Sequence, residues 1–342
     1  LKRKLRAQKK PALLQVRLLP DDDPDAAAKP WALVSVPVAS FLTNPAFAGS
    51  TATQAVTGTP VRILEKQGPF WRAQTPDGYI GWVHDRQIER LSTDELSQWN
   101  AASKIVAAAN MTLVADAEGK ALAPLPAAGM LRFVSTEEGG RIRAQLPDGR
   151  VGFVSANDVR LAEEDFLHWQ QLREGPRDAF WEAFLRRAQT LTGTTYLWGG
   201  TSTAAVDCSG LVSVMWRIAG VIIGRDTDQQ IAAGEPLSMT NPESIPAGVL
   251  ISFGKKTPSG KTTVEHVGLS LGGGRFLHAL GSVREESLIK ESPLFSAYEY
   301  GRYLDAYAFD PTLRSAPCIT TIQTNGFFQV PPRELVPCRK TQ

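Results

Sequence analysis

The chain is poor in the residues that would classify it at a glance. Its 342 residues include three cysteines, four methionines and four histidines. Cys208, Cys318 and Cys338 are too few for a disulfide-framed domain, and their spacing matches no zinc pattern. Charge of one sign is also lacking. Lys+Arg 37 against Asp+Glu 35 leaves a net charge of +2, without the basic excess that drives binding to phosphate backbones, so no nucleic-acid partner is expected. No run approaches the roughly 20 apolar residues of a membrane-spanning helix, so no membrane span is expected. What the chain does have is 43% hydrophobic and 21% charged residues, enough apolar material for packed cores. At roughly 150 residues per domain, two or three domains are expected.

The ends differ from the middle. Residues 1–10 (LKRKLRAQKK) carry six basic side chains, and DDDPD at 21–25 follows with four acidic ones. Such runs stay solvated, and residues 1–29 are expected to be flexible. The stretch after residue 10 contains Arg17 and two prolines, so no export signal is read there. Residues 311–342 hold five prolines and no hydrophobic period, so an extended or disordered tail is expected.

The first half contains an internal repeat. WRAQTPDGYIGWV at 71–83 and IRAQLPDGRVGFV at 142–154 share RAQxPDGxxGxV. Each copy joins two short alternating runs through Pro-Asp-Gly, the pattern of a β-hairpin with a glycine turn. VRILEK at 61–66 and MLRFVSTEE at 130–138 add further strands. Two small all-β units are expected, at 30–91 and 110–163. Between them Ser92 and Glu95 stand in capping-box spacing before Leu96, Trp99, Ile105 and Val106, which predicts a helical linker over 92–109.

The third unit, 164–310, opens with a helical run (178–191) and carries the chemistry. In TYLWGGTSTAAVDCSGLVSVMWRIAG, Leu211, Val214, Met215 and Ile218 recur at helical spacing and Gly220 ends the run. Cys208 therefore lies at a helix N-terminus, where the helix dipole and free N–H groups favour a thiolate. A buried structural cysteine is the alternative, and the polar, glycine-flanked position speaks against it. A thiolate nucleophile needs a base, and the base needs an orienting group. His84 and His168 read as surface residues. His266 and His278 stand in the strand-like runs VEHVGLSL and RFLHAL on either side of Gly272–Gly274, one on each arm of a hairpin. Cys208 is expected as nucleophile, His266 as base and His278 as its orienting residue. Zinc binding by the same residues lacks a fourth ligand, and no metal or other cofactor is expected.

YxWGG…DCSGL, RDTxxQ at 225–230, HxGLxL and LHA together resemble the NlpC family of papain-like cysteine peptidases, over residues 178–310. The repeats resemble bacterial SH3-like domains. The fold so implied is an α+β papain-like catalytic domain preceded by two SH3-like barrels. Among its members the chain is most similar to γ-D-glutamyl-L-diamino-acid endopeptidases, which cut peptidoglycan stem peptides after D-glutamate. The resemblance implies Tyr196 as an oxyanion contributor, Asp207 and Ser209 as groove-lining residues, and Arg225, Asp226 and Thr227 as the pocket for the L-Ala-D-Glu end. Asp226 would meet a free N-terminal ammonium; a surface ion pair between Arg225 and Asp226 is the plainer alternative. Tyr79 of the first module would reach the same pocket, where the second copy has Arg150. One departure from the family is the absence of Asp and Glu from Trp31 to Leu64, which leaves the amine to Asp226 and Tyr79. The lysines of the loop 254–263 are read as substrate contacts or a solvated turn. A monomer is expected, in the envelope or secreted, with cytoplasmic recycling of wall peptides as the alternative. A non-catalytic wall-binding protein and an amidase or acyltransferase on the same scaffold remain open.

Overall fold

The computed structural model describes residues 16–257, 262–312 and 319–335. The basic run 1–10, Cys318, Cys338 and residues 258–261 of the lysine-bearing loop lie outside these.

The sequence repeat is a repeat of topology. Trp31–Leu91 and Lys104–Leu161 each form a seven-stranded antiparallel sheet, and with strands counted from one to seven in each, both follow the order 3-2-6-5-4-1-7. The shared RAQ segment lies in the fifth strand and the GxV segment in the sixth, with Arg72 opposite Trp82 and Arg143 opposite Phe153. Alternation then buries one side of each strand. Phe41, Ile63, Trp71 and Val83 fill the first core, and Ile105, Val114, Leu131 and Val154 the second.

Ser92 and Glu95 form the expected capping box, with Glu95 N–H donating to Ser92 Oγ at 3.2 Å and Ser92 N–H to Glu95 Oε2 at 2.6 Å. The helix spans Thr93–Ala101 only. Ile105 and Val106, expected in that helix, belong to the strand Lys104–Ala107 of the second sheet. Their β-branched side chains suit a strand buried on both sides, and a short apolar run does not distinguish the two structures.

The third unit joins a nine-stranded sheet to helices Ala162–Glu174, Arg177–Gln189 and Cys208–Ile218. Phe180, Trp181, Phe184 and Trp216 interlock at ring distances of 4.8 to 5.9 Å. This cluster backs the Cys208–Ile218 helix, of which Trp216 is 1% exposed. Interiors packed this way hold side chains in single rotamers, so the helix start has a fixed position.

Both β units grip the loop that precedes Cys208. Gln54 and Thr201 exchange three hydrogen bonds of 2.7 to 3.1 Å. Gly199 sits at φ 81°, and a Cβ there would lie 2.5 Å from the Thr51 carbonyl oxygen. Only glycine tolerates both the backbone angle and the contact. On the other side Thr203 accepts from Ala127 N–H at 3.2 Å and donates to the Asn110 carbonyl.

The expected flexible ends are ordered wherever they are described. Pro24–Ala28 is a short helix with Ala26 fully buried. At the other end Thr320–Thr321 pairs with Val221–Ile222 of the third unit. Phe327, also fully buried, packs edge-on against Trp31 of the first. Asn100 donates to the carbonyls of Phe327 and Gln329 at 2.9 and 2.8 Å, and Asn325 to that of Pro76 at 2.9 Å. Anchoring through Ile322, Phe327 and a few hydrogen bonds leaves no periodic pattern, so the sequence carries no sign of these contacts. Among the described residues no helix is long and apolar enough to cross a membrane.

Candidate active site

Cys208 is the first residue of its helix. Asp207 caps it by accepting the Gly210 N–H at 2.7 Å. A Cβ on Gly210 would lie 1.9 Å from the Gly200 carbonyl oxygen, so glycine at this position lets the helix start press onto the preceding loop. Cys208 is 8% exposed. The Val267 and Ser209 N–H groups and the Thr227 hydroxyl near its sulfur favour the thiolate. Val267 follows His266, so the nucleophile candidate abuts the strand that carries the base candidate.

That strand, Thr262–Gly272, forms a hairpin with Arg275–Leu280 through the glycine turn. His266 and His278 meet across it with His266 Nε2 2.8 Å from His278 Nδ1. With Nε2 so engaged, His266 has only Nδ1 left for the thiol. Burial lowers both imidazoles to about 3, with His278 lowering His266 further and Arg284 lowering His278. Both rings are neutral near pH 7.

The thiol moves the opposite way. Burial and the Asp207 carboxylate push Cys208 above its ordinary value, against its N–H and hydroxyl donors. The helix N-terminus expected to favour a thiolate is present, and burial beside a carboxylate works against it. A raised thiol and lowered imidazoles together give a neutral thiol–imidazole pair at rest. We therefore expect iodoacetamide to label Cys208 at a rate that rises with pH up to and beyond 9.0, the value of an unperturbed thiol. A plateau of fast labelling between about pH 5 and 7 would contradict this and indicate a resting ion pair.

Asp207 and Ser209, expected to line the groove, are each 5% exposed and face inward. Arg225, 2% exposed, donates to both Asp207 oxygens at 3.2 and 2.6 Å and to Ser209 Oγ at 2.8 Å. Gly199 N–H adds a bond to Asp207 at 2.9 Å. Arg225 thus pairs with Asp207 and not, as the plainer alternative had it, with its neighbour Asp226. The bidentate clamp ties the segment after the helix to the helix start.

Asp226 turns the other way. It is half-buried beside the Tyr79 hydroxyl, which favours its ionised form while burial disfavours it. Tyr79 projects from the Pro-Asp-Gly turn of the first module, which Thr75 N–H closes on the Tyr79 carbonyl at 2.9 Å. The second module makes the equivalent turn at Arg150, 2.8 Å from Leu146. Tyr79 and Asp226 thus influence one another, and Thr227, the next residue, influences Cys208. Tyr196 is half-buried on the other flank, paired with Val206. Burial and the nearby Cys208 and Asp207 raise its phenol to about 12, so it stays a proton donor.

Sequence reasoning passed over Glu299 and Arg302. Glu299 is fully buried, its carboxyl raised to about 7 by burial, and it lies 3.9 Å from His266 Nε2 and 3.3 Å from Arg302. His266, His278 and Glu299 offer ligand atoms within 4.8 Å of one another. A metal seated there would have to part the 2.8 Å imidazole contact. Of the loop lysines, Lys255 pairs with Glu265 at 2.8 Å.

Comparison with known proteins agrees with this architecture. The NlpC/P60 family matches residues 193–303, and the bacterial dipeptidyl-peptidase Sh3 domain matches residues 42–88. The chain is 35% identical over 235 residues to the gamma-D-glutamyl-L-lysine dipeptidyl-peptidase of Bacillus subtilis (strain 168), covering 66% of this chain and 71% of that protein. A protein of the same name from Bacillus cereus is 25% identical over 276 residues, covering 78% and 76%. The crystal structure of an NlpC/P60 family protein from Bacillus cereus superposes with a TM-score of 0.66 at 20% identity, over 82% of this chain and 99% of that one, a likeness of fold.

Proposed function

The chain belongs to the NlpC/P60 family and is a cysteine-type hydrolase, and we propose that it cuts peptidoglycan stem peptides between γ-D-glutamate and the following diamino acid, diaminopimelate or lysine. In this reading Cys208 attacks the γ-carbonyl while His266 Nδ1 takes the thiol proton. His266 then returns it to the leaving amine, and water releases the acyl-enzyme. Tyr196 and the Cys208 N–H hold the oxyanion. Asp207, Ser209 and Arg225 act by fixing the helix start.

The observation that carries the substrate assignment is the juxtaposition of Tyr79 and Asp226, one residue from Thr227, whose hydroxyl favours the Cys208 thiolate. A half-buried carboxylate closed over by a phenol suits an ammonium and leaves an amide-blocked chain end without compensation for its desolvation. Free N-terminal L-Ala at this end would set the γ-D-Glu carbonyl toward Cys208. We expect acetylation of the substrate amine to lower kcat/KM at least tenfold, about 1.4 kcal/mol or more, and Asp226→Asn to erase most of that difference. Equal rates on free and acetylated peptides would remove the amine pocket and leave the cleavage chemistry standing. Every named group of the site comes from one chain, so a monomer suffices in this proposal. It works where stem peptides occur, in the cell envelope or during their recovery.

A further inference from the structure

The two histidines leave one question of protons open. A neutral imidazole carries one N–H, and the His266–His278 bond can be made with the proton on either side. If His278 Nδ1–H donates to His266 Nε2, then His266 holds its own proton on Nδ1 and has no lone pair for the thiol. Catalysis in the proposed reading requires the reverse arrangement, with His266 Nε2–H donating to His278 Nδ1. His278 must then carry its proton on Nε2.

We propose that Glu286 enforces this arrangement as a positioning residue. It lies on the strand Ser282–Ser287, which pairs with Arg275–Leu280 so that His278 faces Arg284. Glu286 is two residues from Arg284 and shares its face of the sheet. Its Oε2 lies 3.3 Å from His278 Nε2. The two atoms are not aligned as a full hydrogen bond, and neither has any other hydrogen-bond partner. His278 is fully buried, so water does not satisfy that nitrogen, and Arg284 Nε holds the other Glu286 oxygen at 3.1 Å. Two orphaned atoms of complementary type facing each other over 3.3 Å are a contact that a small carboxylate rotation closes. Catalytic hydrogen bonds are often slack in a ligand-free site and tighten when substrate binds. A carboxylate accepts and never donates, so it keeps the proton on His278 Nε2. That leaves His278 Nδ1 as acceptor, places the His266 proton on Nε2, and frees His266 Nδ1. Glu299 does not substitute: it is 3.9 Å from His266 Nε2 and is ion-paired with Arg302.

This inference rests on Cys208 and His266 acting as proposed, and its test separates the two. With only four histidines in the chain, long-range proton–nitrogen NMR of the full ring-labelled protein resolves each tautomer. The wild type is expected to show N–H at Nε2 of both His266 and His278. Glu286→Met, near-isosteric and without an acceptor, is expected to move the His278 proton to Nδ1. It should lower kcat at least tenfold with KM within about twofold, the pattern of a wrong tautomer behind an intact binding site. Glu286→Asp, which keeps an acceptor, recovers part of the loss. A wild-type His278 protonated at Nδ1 overturns the proposal, and this reading needs no variant to fold. Wild-type tautomers and kcat in Glu286→Met, beside an inactive Cys208→Ala, overturn it alone. An active Cys208→Ala overturns the catalytic reading beneath it.

Discussion

Cys208→Ala is expected to abolish turnover of L-Ala-γ-D-Glu-diamino acid, by a factor on the order of 10⁴ or more, while the protein stays folded and still binds the peptide. Loss of a nucleophile from a site that works as a unit removes nearly all of its rate. Binding survives because the Tyr79–Asp226 pair and the Arg225–Asp207 clamp do not involve the sulfur. The removed atom is small and its place at the helix start is fixed by Asp207, Gly210 and the Trp216 cluster, so the stability change is modest. The result separates an enzyme from a wall-binding module: a binder loses nothing when Cys208 is replaced. Titration of the inactive variant with the tripeptide, beside initial rates of both proteins, checks the two halves together.

Arg225→Ala carries the second large effect, and it falls on stability. The substitution strands Asp207 at 5% exposure with two backbone N–H donors and the Ser209 hydroxyl, and no cation. Breaking a buried pair by removing one partner costs about 3–5 kcal/mol, because the remaining charge is uncompensated. Arg225 also has its Nε buried without a partner, so the pair is held by its two terminal nitrogens. We expect urea unfolding of Arg225→Ala to show a loss of this order, and the paired replacement Asp207→Asn with Arg225→Met to recover a substantial part of it. A substrate-contacting arginine behaves differently: its loss raises KM at unchanged stability. That outcome would return Arg225 to the pocket that the sequence motif suggested.

The contrast shows where sequence reading reached its limit. The hairpin with a histidine on each arm was legible because two strand-like runs flank three glycines, and period-2 alternation sets which residues face each other. The repeated β units were legible because RAQxPDGxxGxV encodes two strand faces and a turn. Partnerships between distant segments were not. Arg225 is next to Asp226 in sequence and bonded to Asp207 in space, and no spacing rule links 207 to 225. Glu286 and Glu299 sit in polar stretches that resemble solvated edges, and only strand pairing for Glu286 and the short helix Ala297–Tyr300 for Glu299 bring them near the imidazoles. The burial of Cys208 was out of reach for a related reason. The helix N-terminus is visible in sequence, whereas the 8% exposure of the thiol depends on how the helix packs against the hairpin.

Tyr79 depends on the same long-range assembly. Its turn is common to both modules, yet only the first docks with Gln54 on Thr201 and so presents its turn to Asp226. The second module offers Arg150, which pairs with its own Asp148 at 2.6 Å. Duplication supplied the scaffold twice, and one copy completes the pocket.

The account turns on which bond is broken and by what. Mixing the wild-type protein with L-Ala-γ-D-Glu-diaminopimelate, quenching in acid within the first turnovers and weighing both protein and small products reads this directly. The account predicts an L-Ala-D-Glu acyl group on Cys208 in the quenched protein, with L-Ala-D-Glu and free diaminopimelate accumulating in solution. Release of free L-Ala, or an intact tripeptide beside unmodified Cys208, would contradict it.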